Sequence, residues 1–298
     1  MPTTLLIEPT ELAGFLGQPD WVIVDCRFDL ARPQWGESAY AQGHIPGAVY
    51  AHLDRDLSGP VGPHTGRHPL PSPEQLAATL GRWGIDGAAS GRAGSGGRTQ
   101  VVAYDQANGA YAARLWWLLR WAGHGQVAVL NGGIAAWQRA GLPLATDPPT
   151  RQAREFVVQP NAGALVTAAE LERMVADRTL ASERAALVDA RGADRFAGEN
   201  ETLDPVAGHI PGARNHPFTG NLDANGQFLP PQELRRRWLQ TLGRTPPQET
   251  ITMCGSGVTA CHNLLAMELA GLGGARLYPG SWSEWIRDPR RPLARGPA

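Results

Sequence analysis

The chain has no lysine: all 27 of its basic residues are arginine. That absence excludes a lysine Schiff base and the lysine of a phosphate-binding P-loop. Charge of either sign is also lacking in excess, since the formal net charge is −1. A basic field for nucleic acid or an anionic membrane is therefore missing, and neither partner is expected. Three cysteines, Cys26, Cys254 and Cys261, are too few for a disulfide framework. No apolar run approaches the ~20 residues of a membrane span. Met1 to Ile7 has no basic region leading into an apolar stretch, so no secretory signal is expected. A reducing cytoplasm suits a chain whose cysteines stay free. The eight histidines are scattered, with no ligand spacing that implies a metal, and no cofactor is expected.

What is present is a repeat. Gly43-His44-Ile45-Pro46-Gly47-Ala48 recurs unchanged as Gly208-His209-Ile210-Pro211-Gly212-Ala213. Val22 to Arg27 answers to Ala186 to Arg191, and Gly132 to Trp137 answers to Gly280 to Trp285. A period of half the chain indicates two like domains; the repeats of a solenoid run ~20–50 residues. The division expected is residues 1–145, a linker over 146–163, and residues 164–298. Asp86 to Arg98, rich in Gly, Ala and Ser, has no counterpart in the second copy and reads as a flexible insertion. Its Gly94-Ser95-Gly96-Gly97 does not sit on a strand-to-helix turn and is no nucleotide fingerprint.

Each copy alternates short apolar runs with helical patterns. Trp21–Cys26, Val101–Tyr104 and Val127–Leu130 read as strands in the first; Ala186–Asp189, Ile251–Met253 and Ala275–Tyr278 do so in the second. Helices are expected over 73–83, 110–121, 167–176, 231–242 and 258–270. Strands apolar on both faces and separated by helices predict an α/β fold, a parallel sheet covered on both sides in each copy.

The chemistry concentrates at Ile251-Thr252-Met253-Cys254-Gly255-Ser256-Gly257-Val258-Thr259. A strand runs into a cysteine, then a loop of small residues, then a helix start. Free backbone N–H groups and a helix N-terminus favour a sulfur anion there. Gly255 and Gly257 allow close approach of the backbone; Ser256 and Thr259 add hydroxyls, and Val258 opens the helix. The first copy has Asp105 where the second has Cys254. A carboxylate is no sulfur nucleophile, so the second copy is expected to be catalytic and the first a degenerate partner that shapes the cleft. Cys261 lies with Leu264, Leu265 and Leu269 on one helix face and is expected to be buried. His44, His209, Asp25 and Asp189 recur in both copies and read as structural.

The paired hexapeptides, the single cysteine loop and the closing Gly280-Ser281-Trp282-Ser283-Glu284-Trp285 make the chain resemble tandem-domain sulfurtransferases of the rhodanese and 3-mercaptopyruvate sulfurtransferase family. The resemblance spans nearly the whole chain. It implies two rhodanese domains, the second active, with sulfur carried as a cysteine persulfide. It implies a small-molecule sulfur donor and, as acceptor, cyanide, a thiol or a thioredoxin-like protein. Thiosulfate-selective members carry basic residues after the cysteine; the neutral Gly255-Ser256-Gly257 resembles the mercaptopyruvate type. Arg195 matches an arginine that holds the donor carboxylate. Asp54 and His68 match positions assigned to proton transfer with the loop serine, here Ser256. The chain departs from the family over Asn200 to Val206, where a second arginine is usual and none is found. Two other activities fit a cysteine loop: a persulfide carrier with little turnover, and a cysteine phosphatase. The phosphatase needs a loop-closing arginine six residues after the cysteine, where this chain has Ala260.

Overall fold

The computed structural model describes residues 4–87 and 99–297. The insertion anticipated over Asp86 to Arg98, with its Gly94-Ser95-Gly96-Gly97, lies outside the described residues from position 88 onward. The chain forms two compact units. One comprises Met1–Gly59, Leu70–Asn161 and Ala224–Gln227; the other comprises Pro60–Pro69, Ala162–Asp223 and Phe228–Ala298.

The N-terminal unit is built on β1 (Leu6–Ile7), β2 (Trp21–Asp25), β3 (Ala48–Tyr50), β4 (Gln100–Tyr104) and β5 (Val127–Leu130). Their order is β1-β5-β4-β2-β3, and every pairing is parallel. The register sets Val22 beside Val101 and Val102 beside Ala128. Consecutive residues of β4 and β5 are buried, so both faces of the sheet are covered. Ile23, Val102, Leu130, Ile134 and Trp137 form part of its core. The helix Pro73–Arg82 begins at a capping box, Ser72 with Gln75, directly before a proline at the first helical position. Residues 154–161 lie along this unit: Arg154 N–H donates to Gly81 O at 2.9 Å, and Gln159 N–H to Ala122 O at 2.9 Å.

The C-terminal unit repeats the plan with β6 (Ala186–Asp189), β7 (Ala213–Asn215), β8 (Thr250–Met253) and β9 (Arg276–Leu277) in the order β7-β6-β8-β9, again all parallel. Leu187, Ile251, Met253, Tyr278, Trp282 and Trp285 are in its core. The helix Ala168–Ala176 starts at a second capping box, Thr167 with Glu170. The central strand β8 delivers Cys254 at its C-terminal end, where ligands bind in open parallel sheets.

The short strands β1, β3 and β7 have two or three residues each. Runs that brief carry no readable alternation. β3 and β7 begin on the last alanine of each repeated hexapeptide, so the identical turns feed equivalent edge strands.

Candidate active site

Cys254 is 2 % exposed. Its backbone is fixed on both sides. Its N–H donates to Ser281 Oγ at 3.0 Å, and its carbonyl accepts the Trp282 N–H at 3.0 Å. Ser283 N–H donates to Gly255 O at 2.9 Å, so the helix Ser281–Trp285 holds two successive loop carbonyls. Ser281 itself sits at φ 54°, a strained backbone for a residue with a side chain. Its hydroxyl, donating to Tyr278 O at 3.0 Å while accepting from Cys254, offsets that strain. Gly257 has φ 79°, and a Cβ there would strike the carbonyl of Pro279. Only glycine fits, and the resulting turn aims the Gly257 N–H at Cys254 Sγ, 3.1 Å away. Buried Val258 precedes the helix Thr259–Leu269, and half-buried Thr259 is its first residue. One N–H bond and the start of a helix thus adjoin this sulfur.

Ser256 and His68 are brought together: His68 Nδ1 lies 2.7 Å from Ser256 Oγ, and both residues are buried. His68 reaches the loop because its segment, Pro60–Pro69, belongs to the C-terminal unit. That segment is tied down along its length. Arg67 N–H donates to Ser283 Oγ at 3.0 Å, and Arg287 Nε to Thr65 O at 3.3 Å. Asp54 belongs to the N-terminal unit, exposed on the short helix Leu53–Asp56, with its N–H bonded to His52 Nδ1 at 3.2 Å.

Three guanidiniums surround the loop. Arg191 pairs with Asp189 at 2.6 Å and Glu201 at 3.4 Å, and lies over the Trp282 ring at 4.8 Å. Burial disfavours its charge, but Asp189, Glu201 and the Cys254 sulfur more than offset that and raise its pKa. Arg195 grips both Glu201 oxygens, the shortest contact 2.8 Å, and touches Asp204 at 3.4 Å. Burial raises the Glu201 pKa less than the Arg195 bonds and the N–H groups of Leu203 and Asp204 lower it, so the net shift is downward. Arg67 also pairs with Asp204. A Cβ placed on Gly255 would stand 3.0 Å from Arg67 Nη2 and 3.5 Å from Arg195 Nη2. Both guanidiniums therefore overlie the residue after the cysteine.

Asn200 to Val206 indeed holds no arginine, but Arg67, from the segment that carries His68, stands beside Arg195 over Gly255. Gly66-Arg67-His68-Pro69 placed a cation directly beside a candidate residue, and that adjacency was the available signal.

The other expected bystanders are buried in structural roles. Cys261 Sγ donates to Gly257 O at 3.3 Å. Burial first, then Asp25, Asp105 and Asp56, push the Cys26 thiol far up, so it is inert. His44 and His209 stack on Tyr40 and Phe196 at 3.9 and 3.8 Å. Among the described residues no group of three or more His, Cys, Asp or Glu is arranged to hold a metal ion, and no helix is long and apolar enough to cross a membrane.

The Rhodanese-like domain family matches this chain twice, over residues 8–140 and 167–288. The chain is 49 % identical to a probable 3-mercaptopyruvate sulfurtransferase of Pseudomonas aeruginosa, over 99 % of this chain and 100 % of that protein. It is 40 % identical to a putative thiosulfate sulfurtransferase of Mycobacterium tuberculosis, over 99 % of this chain and 98 % of that protein. Among solved structures it is similar to the 3-mercaptopyruvate sulfurtransferase from Leishmania major, with a TM-score of 0.81 and 32 % identity, covering 96 % of this chain and 75 % of that one. With two matched domains, two parallel sheets and a cysteine at the end of the second unit's central strand, the chain belongs to the rhodanese family as a tandem-domain sulfurtransferase.

Proposed function

We propose that Cys254 takes sulfur from 3-mercaptopyruvate in preference to thiosulfate, holds it as a persulfide, and passes it to a thiophilic acceptor. The observation that carries this reading is the Gly257 N–H directed at Cys254 Sγ, 3.1 Å away, in a loop overlaid by two guanidiniums.

The Cys254 thiolate attacks the donor sulfur. An S–S bond forms, the C–S bond breaks, and its electron pair leaves on carbon as the pyruvate enolate. The donor's thiol proton must end on that carbon. Ser256 Oγ and His68 Nδ1, 2.7 Å apart, are positioned to take that proton and return it. The outward edges of Arg67 and Arg195 suit the donor carboxylate, because a planar fork matches it with two parallel bonds. In the second half-reaction the acceptor attacks the outer sulfur, the S–S bond breaks, and Cys254 departs as thiolate. The acceptor is cyanide, a small thiol or a thioredoxin-like protein. A reducing cytoplasm keeps the three free cysteines as thiols.

In this reading residues 164–298 are the catalytic domain and residues 1–145 carry no nucleophile. The test compares initial rates with both donors, cyanide as acceptor. The expected kcat/KM is higher for 3-mercaptopyruvate. Cys254→Ser is expected to abolish turnover and the added mass of about 32 Da, one sulfur, seen after donor treatment. Full activity in that variant ends the proposal.

A further inference from the structure

Asp204 lies four positions before Gly208, in the stretch without arginine. It contacts both guanidiniums that overlie Gly255: Arg67, and Arg195 at 3.4 Å. Glu201 holds Arg195 from another side at 2.8 Å. Exposure divides by sign. The Glu201 and Asp204 side chains are 1 % and 2 % exposed, while those of Arg195 and Arg67 are 20 % and 27 % exposed. A ligand therefore meets guanidinium edges, with the carboxylates behind them. Counting Arg191, which shares Glu201 and pairs with Asp189, three positive charges are matched by three negative ones, so the cradle offers hydrogen-bond geometry with almost no net field.

We propose that Asp204 is a specificity-determining residue for donor charge: by cancelling a positive charge at the Arg67–Arg195 cradle, it rejects dianionic thiosulfate relative to monoanionic 3-mercaptopyruvate. This inference rests on the donor reading above. One carboxylate gains its short-range bonds from the guanidinium forks and needs no net field. A dianion has twice the charge to desolvate, meets a neutral cradle, and is repelled by the Cys254 thiolate. Asp204 acts on the donor only through the two arginines.

The experiment measures kcat/KM for both donors in the unmutated protein, Asp204→Asn and Asp204→Glu. Coulomb energy scales with ligand charge, so neutralising Asp204 changes the dianion's interaction twice as much as the monoanion's. The thiosulfate-to-mercaptopyruvate ratio of kcat/KM is expected to rise about tenfold in Asp204→Asn at low salt, and to fall back in about 1 M salt. Asp204→Glu keeps the charge and is expected to keep the parent ratio. A loss shared equally by both donors, or an unmoved ratio, overturns the inference, since a purely structural role moves both together. If Asp204→Asn does not fold, the unmutated protein still decides. Its kcat/KM for thiosulfate is expected to stay level or rise between about 0.01 M and about 1 M salt; a steep fall would reveal an uncancelled positive site and overturn the proposal. Intact mass separates the two readings. Failure of both donors to load sulfur on Cys254 sinks the donor assignment and this inference with it. Loading by both with an unmoved ratio sinks this inference alone.

Discussion

The loop at Asp105 and the loop at Cys254 hang on one scaffold and do opposite things. Ile134 N–H donates to Asp105 O at 2.9 Å as Trp282 N–H donates to Cys254 O at 3.0 Å. Ala135 N–H reaches Gln106 O at 3.3 Å as Ser283 N–H reaches Gly255 O at 2.9 Å. Arg27 holds Asp25 and Gly43 O just as Arg191 holds Asp189 and Gly208 O, each pair at 2.6 and 2.8 Å. The loops themselves differ. Residues 106–111 separate Asp105 from its helix, whereas 255–258 separate Cys254 from its own. The longer loop turns four N–H groups onto the Asp105 carboxylate, from Gly109 and Ala107 at 3.0 and 3.1 Å and from Tyr111 and Ala112 at 2.9 and 3.3 Å. The N-terminal loop is filled by its own anion. The C-terminal loop instead turns one N–H onto the Cys254 sulfur, beneath two arginines.

Exchanging the side chains tests that difference most severely. Cys254→Asp is expected to lower kcat/KM by at least about 10⁴-fold with either donor, because a carboxylate forms no persulfide. Adding Asp105→Cys to it is expected to restore nothing. The N-terminal loop has a different length and its donors are arranged around two oxygens. Thiocyanate formation by the double variant would break the comparison, showing the loops to be interchangeable.

A stability measurement reads the same contrast. Asp105→Ala strands four N–H groups, those of Gly109 and Ala112 buried, and is expected to cost about 3 kcal/mol. Cys254→Ala removes one sulfur acceptor and is expected to cost about 1–2 kcal/mol. Urea denaturation followed by circular dichroism checks both. Equal losses would mean that the N-terminal loop is not held by its carboxylate.

Acid separates the two units. Burial lowers His216 from its ordinary 6.5 to about 4, against an opposing hydrogen bond to Asn221. The ring stacks on Trp238 at 4.0 Å and bonds Thr241 Oγ1 at 2.7 Å. The folded state favours neutral His216, so its stabilisation is full above 6.5 and is lost as pH falls to about 4. A shift of that size corresponds to about 3 kcal/mol withdrawn from the C-terminal unit. Asp105 works the other way. Burial raises its pKa above 3.8 despite its four N–H bonds, so protonation as pH falls favours the folded N-terminal unit. Hydrogen exchange resolved by unit is expected to show the C-terminal unit opening first on acidification, with the slope flattened in His216→Gln. Parallel opening of both units would contradict these assignments.

The repeat, the parallel strands and the cysteine loop were readable because each is local in sequence. Val22 to Arg27 and Ala186 to Arg191 print the same strand-and-turn chemistry twice. Gly257 and Cys254 are three positions apart, so their turn could be inferred from residue type. Of the two cations over the loop, Arg195 was named through the resemblance and Arg67 was not. Arg67 lies in the stretch that repetition assigns to the first copy, yet it folds with the second unit. Nothing in its neighbours encodes that exchange. Asp204 and Glu201 read only as an absence of arginine, because sequence does not say that acidic residues will be buried behind guanidiniums. The difference in loop length escaped for a related reason: setting Asp105 opposite Cys254 says nothing of how many residues lead from each into its helix.

Arg67 is the smallest and sharpest test of what distinguishes the two loops beyond their central side chains. Its guanidinium and that of Arg195 stand above Gly255, while its backbone N–H is fixed by Ser283 Oγ at 3.0 Å. Arg67→Met removes the fork and keeps the apolar stem, and the backbone bond does not depend on the side chain. Arg195 still offers one fork to a carboxylate. The expected result is a rise of about tenfold in KM for 3-mercaptopyruvate, with kcat changed much less, because one of two carboxylate contacts made before the chemical step is lost. The change also leaves Asp204 with one cation instead of two, so donor repulsion adds to the loss of the bond. Arg67→Lys keeps the charge without the fork and is expected to recover only part of KM. If kcat falls and KM holds in Arg67→Met, Arg67 serves the sulfur transfer itself, through its neighbour His68, and the cradle reading of the C-terminal loop fails.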